Sequence, residues 1–345
     1  MLFCERIILM FNNECYCAQY NGPELSLSTS GGVFFAFAKY IIEHGGCAFG
    51  AAFSPFPHLR HICVESVDNL YKIQGSKYVE SDFVQSLPEL KKRVEIGQKV
   101  LFSGTPCQIA ALRAYLKADF QNLLTMDIVC HGTPNKKIFQ EYVKWREKKW
   151  NTKLDNYEFR NKKVSPWGGA QKGLLSTSNG YKVIPSECDP YFCAFQKGLI
   201  AQKKCYSCRY ASSIRMGDIT AADFWSAKIY FPDFPYKNGV SSLLINTQKG
   251  KEYFKKVKTN FILEEASFEK ACKWKPHLKY PLSFNPVQQI IYDTINNGGG
   301  FDSVLHLIPT LSYPEYVKRK VVCWAKQQIK KVLDFISRSR ASNTP

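Results

Sequence analysis

The chain has 345 residues, 45% of them hydrophobic, and a formal net charge of +18. That length suits two domains, or one large α/β core with an appendage, and no apolar run reaches the roughly 18 residues that a membrane span needs. The positive charge is spread widely with no zinc-finger, helix-turn-helix or RNP signature, so a nucleic-acid partner is not expected and anionic cofactors or an anionic surface are.

Met1 to Asn12 is apolar but carries Glu5 and Arg6 and lacks a small-residue cleavage site, so no signal peptide is expected and the place of action is cytoplasmic. Ser28-Thr29-Ser30-Gly31-Gly32 precedes a helical VFFAFAKYII. CAFGAAF and HICVES are strand-like, and Pro88 to Ile96 is helical, with Ser86 as cap and Gly97 following. KVLFSG is a short buried strand, TPCQIAALRAYL a helix, LLTMDIVC the next strand and Lys136 to Lys149 the next helix. This alternation predicts an α/β fold with a mostly parallel sheet and flanking helices. Asn151 to Ile184 is more β-like, and with the cysteines that follow it forms a smaller β-rich, cysteine-bearing insertion. SSLLINT is a buried strand followed by a helix from Lys249. In the tail, Tyr313 to Arg340, apolar Val322, Ala325, Ile329, Val332, Leu333 and Ile336 recur at helical spacing among lysines and arginines. This is a basic amphipathic helix that either packs on the core or lies on an anionic membrane.

Thirteen cysteines are many for a chain that is neither small nor visibly secreted, so metal or redox chemistry outweighs a disulfide framework. Cys47, Cys63 and Cys323 are expected to be buried hydrophobes. Cys205-Tyr206-Ser207-Cys208 is a CxxC, half of a zinc or cluster site or a thiol redox pair. Cys107 and Cys130 follow consecutive strands, and ligands of a parallel sheet gather beyond the carboxyl ends of its strands. Cys107 also opens a helix, whose dipole favours a thiolate. Four thiolates suit a [4Fe–4S] cluster, and zinc could take the same four. Cys188 and Cys193 are spares. His131 is expected to be a polar contact near the cofactors. Ser30, Gly31 and Gly32 at a helix start could meet a pyrophosphate, with Gly75, Ser76, Lys77 and Tyr78 adding a turn, a cation and a ring.

At these residues the chain resembles the coenzyme F420 hydrogenase/dehydrogenase beta-subunit family of iron–sulfur flavoproteins. The landmarks, in order, are STSGGVFFAFAKYIIEHGG, GAAF, GSKYVES, KVLFSGTPCQIAALRAYL, LLTMDIVCHGTP, CYSCRYASSIRMGDITAADFW and SSLLINT. The resemblance implies FAD beside a [4Fe–4S] cluster, with Ser30, Gly31, Gly32, Gly75, Ser76, Lys77, Tyr78, His131, Asp218 and Asp223 at the cofactors and Cys107, Cys130, Cys205 and Cys208 on the metal. It implies residues 15–96 as a flavin-binding part, 97–270 as the iron–sulfur domain and 271–345 as a helical tail. The CAQYN start is similar to bacterial members found among surface-polysaccharide genes. Two departures stand out. No ferredoxin-like CxxCxxCxxxCP run is present, and Cys4, Cys15 and Cys17 cannot replace one, so a separate ferredoxin or other electron donor is expected as partner. The family's DITxGDFWG has Ala222 and Ser226 in place of two glycines.

The expected function is therefore a flavin- and cluster-dependent oxidoreductase acting on a deazaflavin or another small molecule, its catalytic residues undefined. Two other readings remain: a Cys107 nucleophile assisted by His131, and a non-catalytic scaffold stabilised by zinc.

Overall fold

The computed structural model describes residues 14–169 and 171–341, with side chains described up to Ile329. The readings of Met1 to Asn12 and Cys4, and of the side chains Val332, Leu333 and Ile336, fall outside these limits.

Strand β1 (Glu14–Tyr20) is buried along almost its whole length. Helix α1 (Val33–Glu43) follows, and its Val33, Phe35, Phe37, Ala38 and Ile41 bury against one face of the sheet. β2 (Cys47–Phe53) and β3 (Leu59–Val64) pair antiparallel. Next come α2 (Leu87–Glu95), β4 (Val100–Gly104), α3 (Pro106–Leu116), β5 (Leu123–Ile128) and α4 (Lys136–Trp150). Leu87, Leu90, Ile109 and Leu112 close the other face. The start of α3 is fixed by a capping box: Thr105 and Gln108 each satisfy the other's backbone N–H, and Pro106 occupies the first turn.

β6 (Leu154–Glu158), β7 (Lys172–Thr177) and β8 (Gly180–Pro185) form a separate antiparallel sheet. No cysteine lies in its strands; the cysteine-rich stretch Cys188 to Cys208 follows and includes α5 (Pro190–Gln196). The chain then returns through β9 (Ile219–Asp223), α6 (Ala227–Tyr230), β10 (Ser241–Ile245), α7 (Gln248–Val257), β11 (Phe261–Ala266) and α8 (Phe268–Cys272). It ends in α9 (Val287–Asn296) and α10 (Tyr313–Ala341).

The main sheet has the order β11-β1-β10-β9-β5-β4-β2-β3. Its centre is parallel, β2 to β4, β4 to β5 and β5 to β9, whereas β1, β3, β10 and β11 pair antiparallel. The α/β layer with flanking helices matches the expectation, with parallel pairing confined to β2, β4, β5 and β9. β10 is buried from Ser241 to Ile245, and a strand buried on both faces carries no mark of its direction. Strands from residues 14–64 and from 100–266 share this one sheet.

A third core lies under α4, α5 and the small sheet, where Phe139, Tyr142, Tyr157, Phe159, Tyr191 and Phe192 interlock. Its polar centre is Asp189, fully buried, which accepts hydrogen bonds from Tyr142 (2.6 Å) and Tyr157 (3.0 Å).

His61 joins the sheet to the edge of the site described next. It stacks on Phe102, and its ring nitrogens meet the Ser103 carbonyl (2.9 Å) and the Ser81 hydroxyl (3.1 Å). A neutral imidazole satisfies both, and burial pushes its pKa down from 6.5 to about 4. The unfolded chain binds this proton as pH falls through about 6.5, and the native protein binds it only near about 4. Stability is therefore fully present above about 6.5 and lost as pH falls through this window. We expect His61 to account for a loss of about 2 kcal/mol between about pH 7 and about pH 5. Urea unfolding at the two pH values measures it, and His61→Gln should flatten that part of the slope.

Candidate metal centre

β4 and β5 run parallel side by side, with Gly104 opposite Asp127, so the chain leaves both strands at the same edge. Just beyond β4, Cys107 sits in the first turn of α3, exposed, its sulfur 3.1 Å from the Thr105 hydroxyl. Two residues beyond β5 lies Cys130. Gly132 follows with φ of 90°, and a Cβ there would lie 3.3 Å from that of Cys205. Gly132 is thus the position at which the strand end and the CxxC pass each other. Gln202 N–H donates to the Thr133 carbonyl (3.0 Å), and Cys205 N–H donates to the Gln202 carbonyl (2.8 Å). These bonds tie the CxxC to the end of β5.

The chain after Cys208 is secured by Asp127. Its buried carboxylate accepts from Arg215 (3.1 Å) and from the Met216 and Gly217 amides (3.0 and 3.1 Å). As a result Cys107, Cys130, Cys205 and Cys208 all line one cavity of about 490 Å³. Burial pushes the Cys130 thiol up to about 12. The Gly132 N–H pulls the other way, and Cys107, Cys205 and Cys208 add repulsion. Burial also raises Cys205, with Thr133 opposing and Cys107 and Cys208 reinforcing. Positive charge entering beside Cys130 and Cys205 would favour their thiolates against this burial. Among the described residues, no three His, Cys, Asp or Glu side chains are gathered to hold a single metal ion.

The other cysteines lie elsewhere. Cys188 faces the Ser312 carbonyl (3.9 Å) and Cys193 the Pro309 carbonyl (3.5 Å), and neither lines the cavity. Cys47 is buried as expected, Cys63 is half-buried, and Cys323 is exposed on α10. That exposure corrects the reading of Cys323 as a buried hydrophobe.

His131 turns away from the cavity. It pairs with His277 (2.7 Å) and approaches the Gln196 carbonyl (3.3 Å), and burial followed by His277 lowers its pKa to about 4. His277 lines the cavity in its place, together with Leu282. Leu282 packs on Gly132 and Gly198. Nothing in the sequence around His277 or Leu282 forms a motif; only their return to the end of β5 gives them a place.

The Ser30-Gly31-Gly32 element does not form the expected cradle. Both glycines are buried by the protein's own chain. A Cβ on Gly31 would lie 2.3 Å from the Ala18 carbonyl, and one on Gly32 2.8 Å from Tyr20 Cβ. The Gly31 amide donates to the Ser241 hydroxyl (2.9 Å), and Ser30 donates to the Val240 carbonyl (2.7 Å). The close approach that requires glycine is therefore between the start of α1 and strands β1 and β10.

Gly75 to Tyr78 adjoins this element, with the Ser76 amide donating to Thr29 (2.8 Å). Lys77 donates to the Gln74 carbonyl (2.7 Å), and burial lowers its pKa to about 8. Tyr78 stacks on Phe195 at 4.2 Å. Nearby, Asp223 accepts two bonds from Arg160 (2.7 and 2.9 Å) and one from Trp167 (3.0 Å). The recess beside them, lined by Thr29, Lys162, Trp167 and Trp225, has about 20 Å³, room for one water. It is too small for a flavin. Asp218 stands at the opposite end of β9, where Thr125 and Thr247 occupy both its oxygens. It does not line the cysteine cavity. Ala222 lies within the sheet opposite Ser242, and Ser226 is buried, donating to the Lys270 carbonyl (3.0 Å).

Residues 97–271, half of the chain, match the family described as the C terminus of the coenzyme F420 hydrogenase/dehydrogenase beta subunit. The chain belongs to this family. Thirteen chains of solved structures match it. One, from the F420-reducing [NiFe] hydrogenase complex of Methanosarcina barkeri studied by xenon derivatization, is 18% identical. That match covers 83% of this chain and 94% of that one, with a TM-score of 0.50. At that identity the likeness is one of fold. No curated protein matches the chain. Family membership makes this F420 hydrogenase/dehydrogenase beta-subunit relative an oxidoreductase by class, and all four cavity cysteines lie within the matched residues.

Proposed function

We propose that this protein transfers electrons through one [4Fe–4S] cluster held by Cys107, Cys130, Cys205 and Cys208. The observation that carries the reading is that these four thiols line one cavity at the carboxyl ends of adjacent parallel strands. The donor set is all thiolate, which suits iron–sulfur chemistry. Four thiols ringing a cavity favour a polynuclear core over one zinc ion, whose ligands would converge at about 2.3 Å from a single point. When bound, the cluster supplies one-electron transfer. The chain's own residues hold it, exclude water on the buried side through Leu282, and place the exposed Cys107 at the protein surface.

An eight-atom core fills only part of about 490 Å³. The remaining space, between Phe83, Pro106, Ala111 and Leu282, would take a flavin ring, either of FAD or of a deazaflavin substrate. The donor would be a separate ferredoxin-like protein in the cytoplasm. A role in surface-polysaccharide synthesis rests on the resemblance alone.

Protein purified without oxygen should be brown, bleach on reduction, and contain about four iron and four sulfide per chain. A colourless protein containing zinc would overturn the proposal, and so would an active protein indifferent to loss of Cys205 and Cys208. Ala111 lies one helical turn beyond Cys107 on the same face of α3. Ala111→Trp should therefore fill the flavin space and lower FAD affinity about tenfold or more with iron unchanged. Equal FAD binding by this variant would remove the flavin from the cavity.

A further inference from the structure

We propose that α10 is a docking element for an anionic lipid surface. Its first turn is anchored. Ser312 and Glu315 form a capping box, the Ser312 amide donating to the Glu315 carboxylate (2.8 Å) and the Glu315 amide to the Ser312 hydroxyl (3.4 Å); the Leu311 amide donates to the Glu187 carbonyl (2.9 Å), and Tyr316 is buried. Arg319 and Lys320 both reach the Glu187 carboxylate. Beyond that anchor the helix leaves the body of the protein. No residue from Val317 to Ile329 is buried. Val321 is 58% exposed, Trp324 62% and Ile329 60%.

These exposed apolar residues are not scattered. At 100° per residue, Val317, Val321, Val322, Trp324, Ala325 and Ile329 fall within one half of the helix circumference. Arg319, Lys320, Lys326 and Gln327 fall on the other half. Lys318 and Gln328 are the exceptions inside the apolar arc, and a lysine stem can lie along an apolar surface with its head in water. The sequence beyond keeps the same composition, with Val332, Leu333, Phe335 and Ile336 apolar and Lys330, Lys331, Arg338 and Arg340 basic.

Charge selects the occupant of this face. The helix carries eight lysines and arginines against Glu315 and Asp334. Val322, Ala325 and Ile329 also have the spacing of a coiled-coil seam, but a second copy would bring one basic helix against another with almost no acidic partner. An anionic bilayer complements the charge, and a tryptophan beside the apolar stripe suits the boundary between acyl chains and headgroups. Among the described residues, no helix is long and apolar enough to cross a membrane, so the contact is one of lying on the surface. This inference is independent of what the cysteine cavity holds.

The full chain is tested by co-sedimentation with vesicles of phosphatidylcholine alone or mixed with phosphatidylglycerol, with tryptophan emission followed in parallel. Binding is expected only with the anionic lipid, weakening with salt and shifting the emission to the blue; Trp324→Phe should remove most of that shift. The double variant Lys318→Glu/Lys326→Glu should lower vesicle partitioning about tenfold or more, and Ile329→Asp should abolish it. All these positions are exposed, and unchanged far-ultraviolet circular dichroism and iron content would show that the body is intact. The proposal fails if the wild-type protein ignores anionic vesicles or binds both lipids equally. It also fails if Ile329→Asp dissolves a dimer of the free protein and leaves vesicle partitioning as it was.

Discussion

Cys130→Ser and Cys205→Ser proteins, purified without oxygen, should each retain under about a tenth of the wild-type iron and lose the broad visible absorbance. Both thiols face the interior of the cavity, where no other sulfur can take over: Cys188 and Cys193 point to the Ser312 and Pro309 carbonyls instead. Cys107→Ser and Cys208→Ser should also lose the centre. Cys107 lies at the exposed edge, so its variant should fold with wild-type stability and fail only in holding iron. Cys188→Ser and Cys193→Ser should keep full iron, since a serine hydroxyl can still donate to those carbonyls. Iron and sulfide counting on the six proteins decides the ligand set. Full iron in the Cys107 and Cys130 variants, with loss in Cys188 or Cys193, would reverse it. Gly132 offers a route that touches no thiol. Its φ of 90° and the 3.3 Å approach to Cys205 mean that Gly132→Val strains the backbone and displaces the CxxC together.

The cysteine arrangement was legible in the sequence because two simple rules place it. Short buried strands alternating with helices imply parallel neighbours, and residues just past such strands share an edge. KVLFSGTPC and LLTMDIVC obey both rules, so Cys107 and Cys130 could be brought together on paper. The Ser-Gly-Gly element misled for an equally physical reason. Two glycines before a helix serve a bound phosphate or a close crossing of the chain, and the local sequence is the same in both cases. What separates them is Ala18 on β1 and Ser241 on β10, the latter 210 residues away along the chain. His277 and Leu282 were illegible for the same reason, since they reach the cavity by a return of the chain that no local pattern records. The tail showed its amphipathic period plainly. The period alone could not say whether the stripe is covered, and its exposure from Val317 to Ile329 answers that.

Asp223→Ala should lower the unfolding free energy by about 3–5 kcal/mol, because it strands the Arg160 guanidinium in the interior. The two side chains are 10% and 16% exposed and meet through two parallel bonds. Arg160 also lies over the Trp225 ring, so the whole group is packed as well as paired. Burial alone would raise the Asp223 pKa above its usual 3.8; Arg160 and Trp167 overcome it and leave the carboxyl below that value. The carboxylate's contribution is therefore present above about pH 3.8 and lost as pH falls through the still lower native pKa. In the variant that acid-sensitive part of the stability curve should vanish. The register of β5 with β9, Ile128 opposite Ala221, sets Asp223 at the same edge of the sheet as Cys130. Destabilisation there should consequently appear in iron retention during mild urea treatment before global unfolding. Replacing both partners, Arg160→Met with Asp223→Leu, should recover most of the loss, since no charge is then stranded. Suppose instead that Asp223→Ala unfolds like wild type and only FAD binding disappears. Asp223 would then be a ligand-binding carboxylate, as the family resemblance first implied, and its bond to Arg160 would be what the ligand displaces.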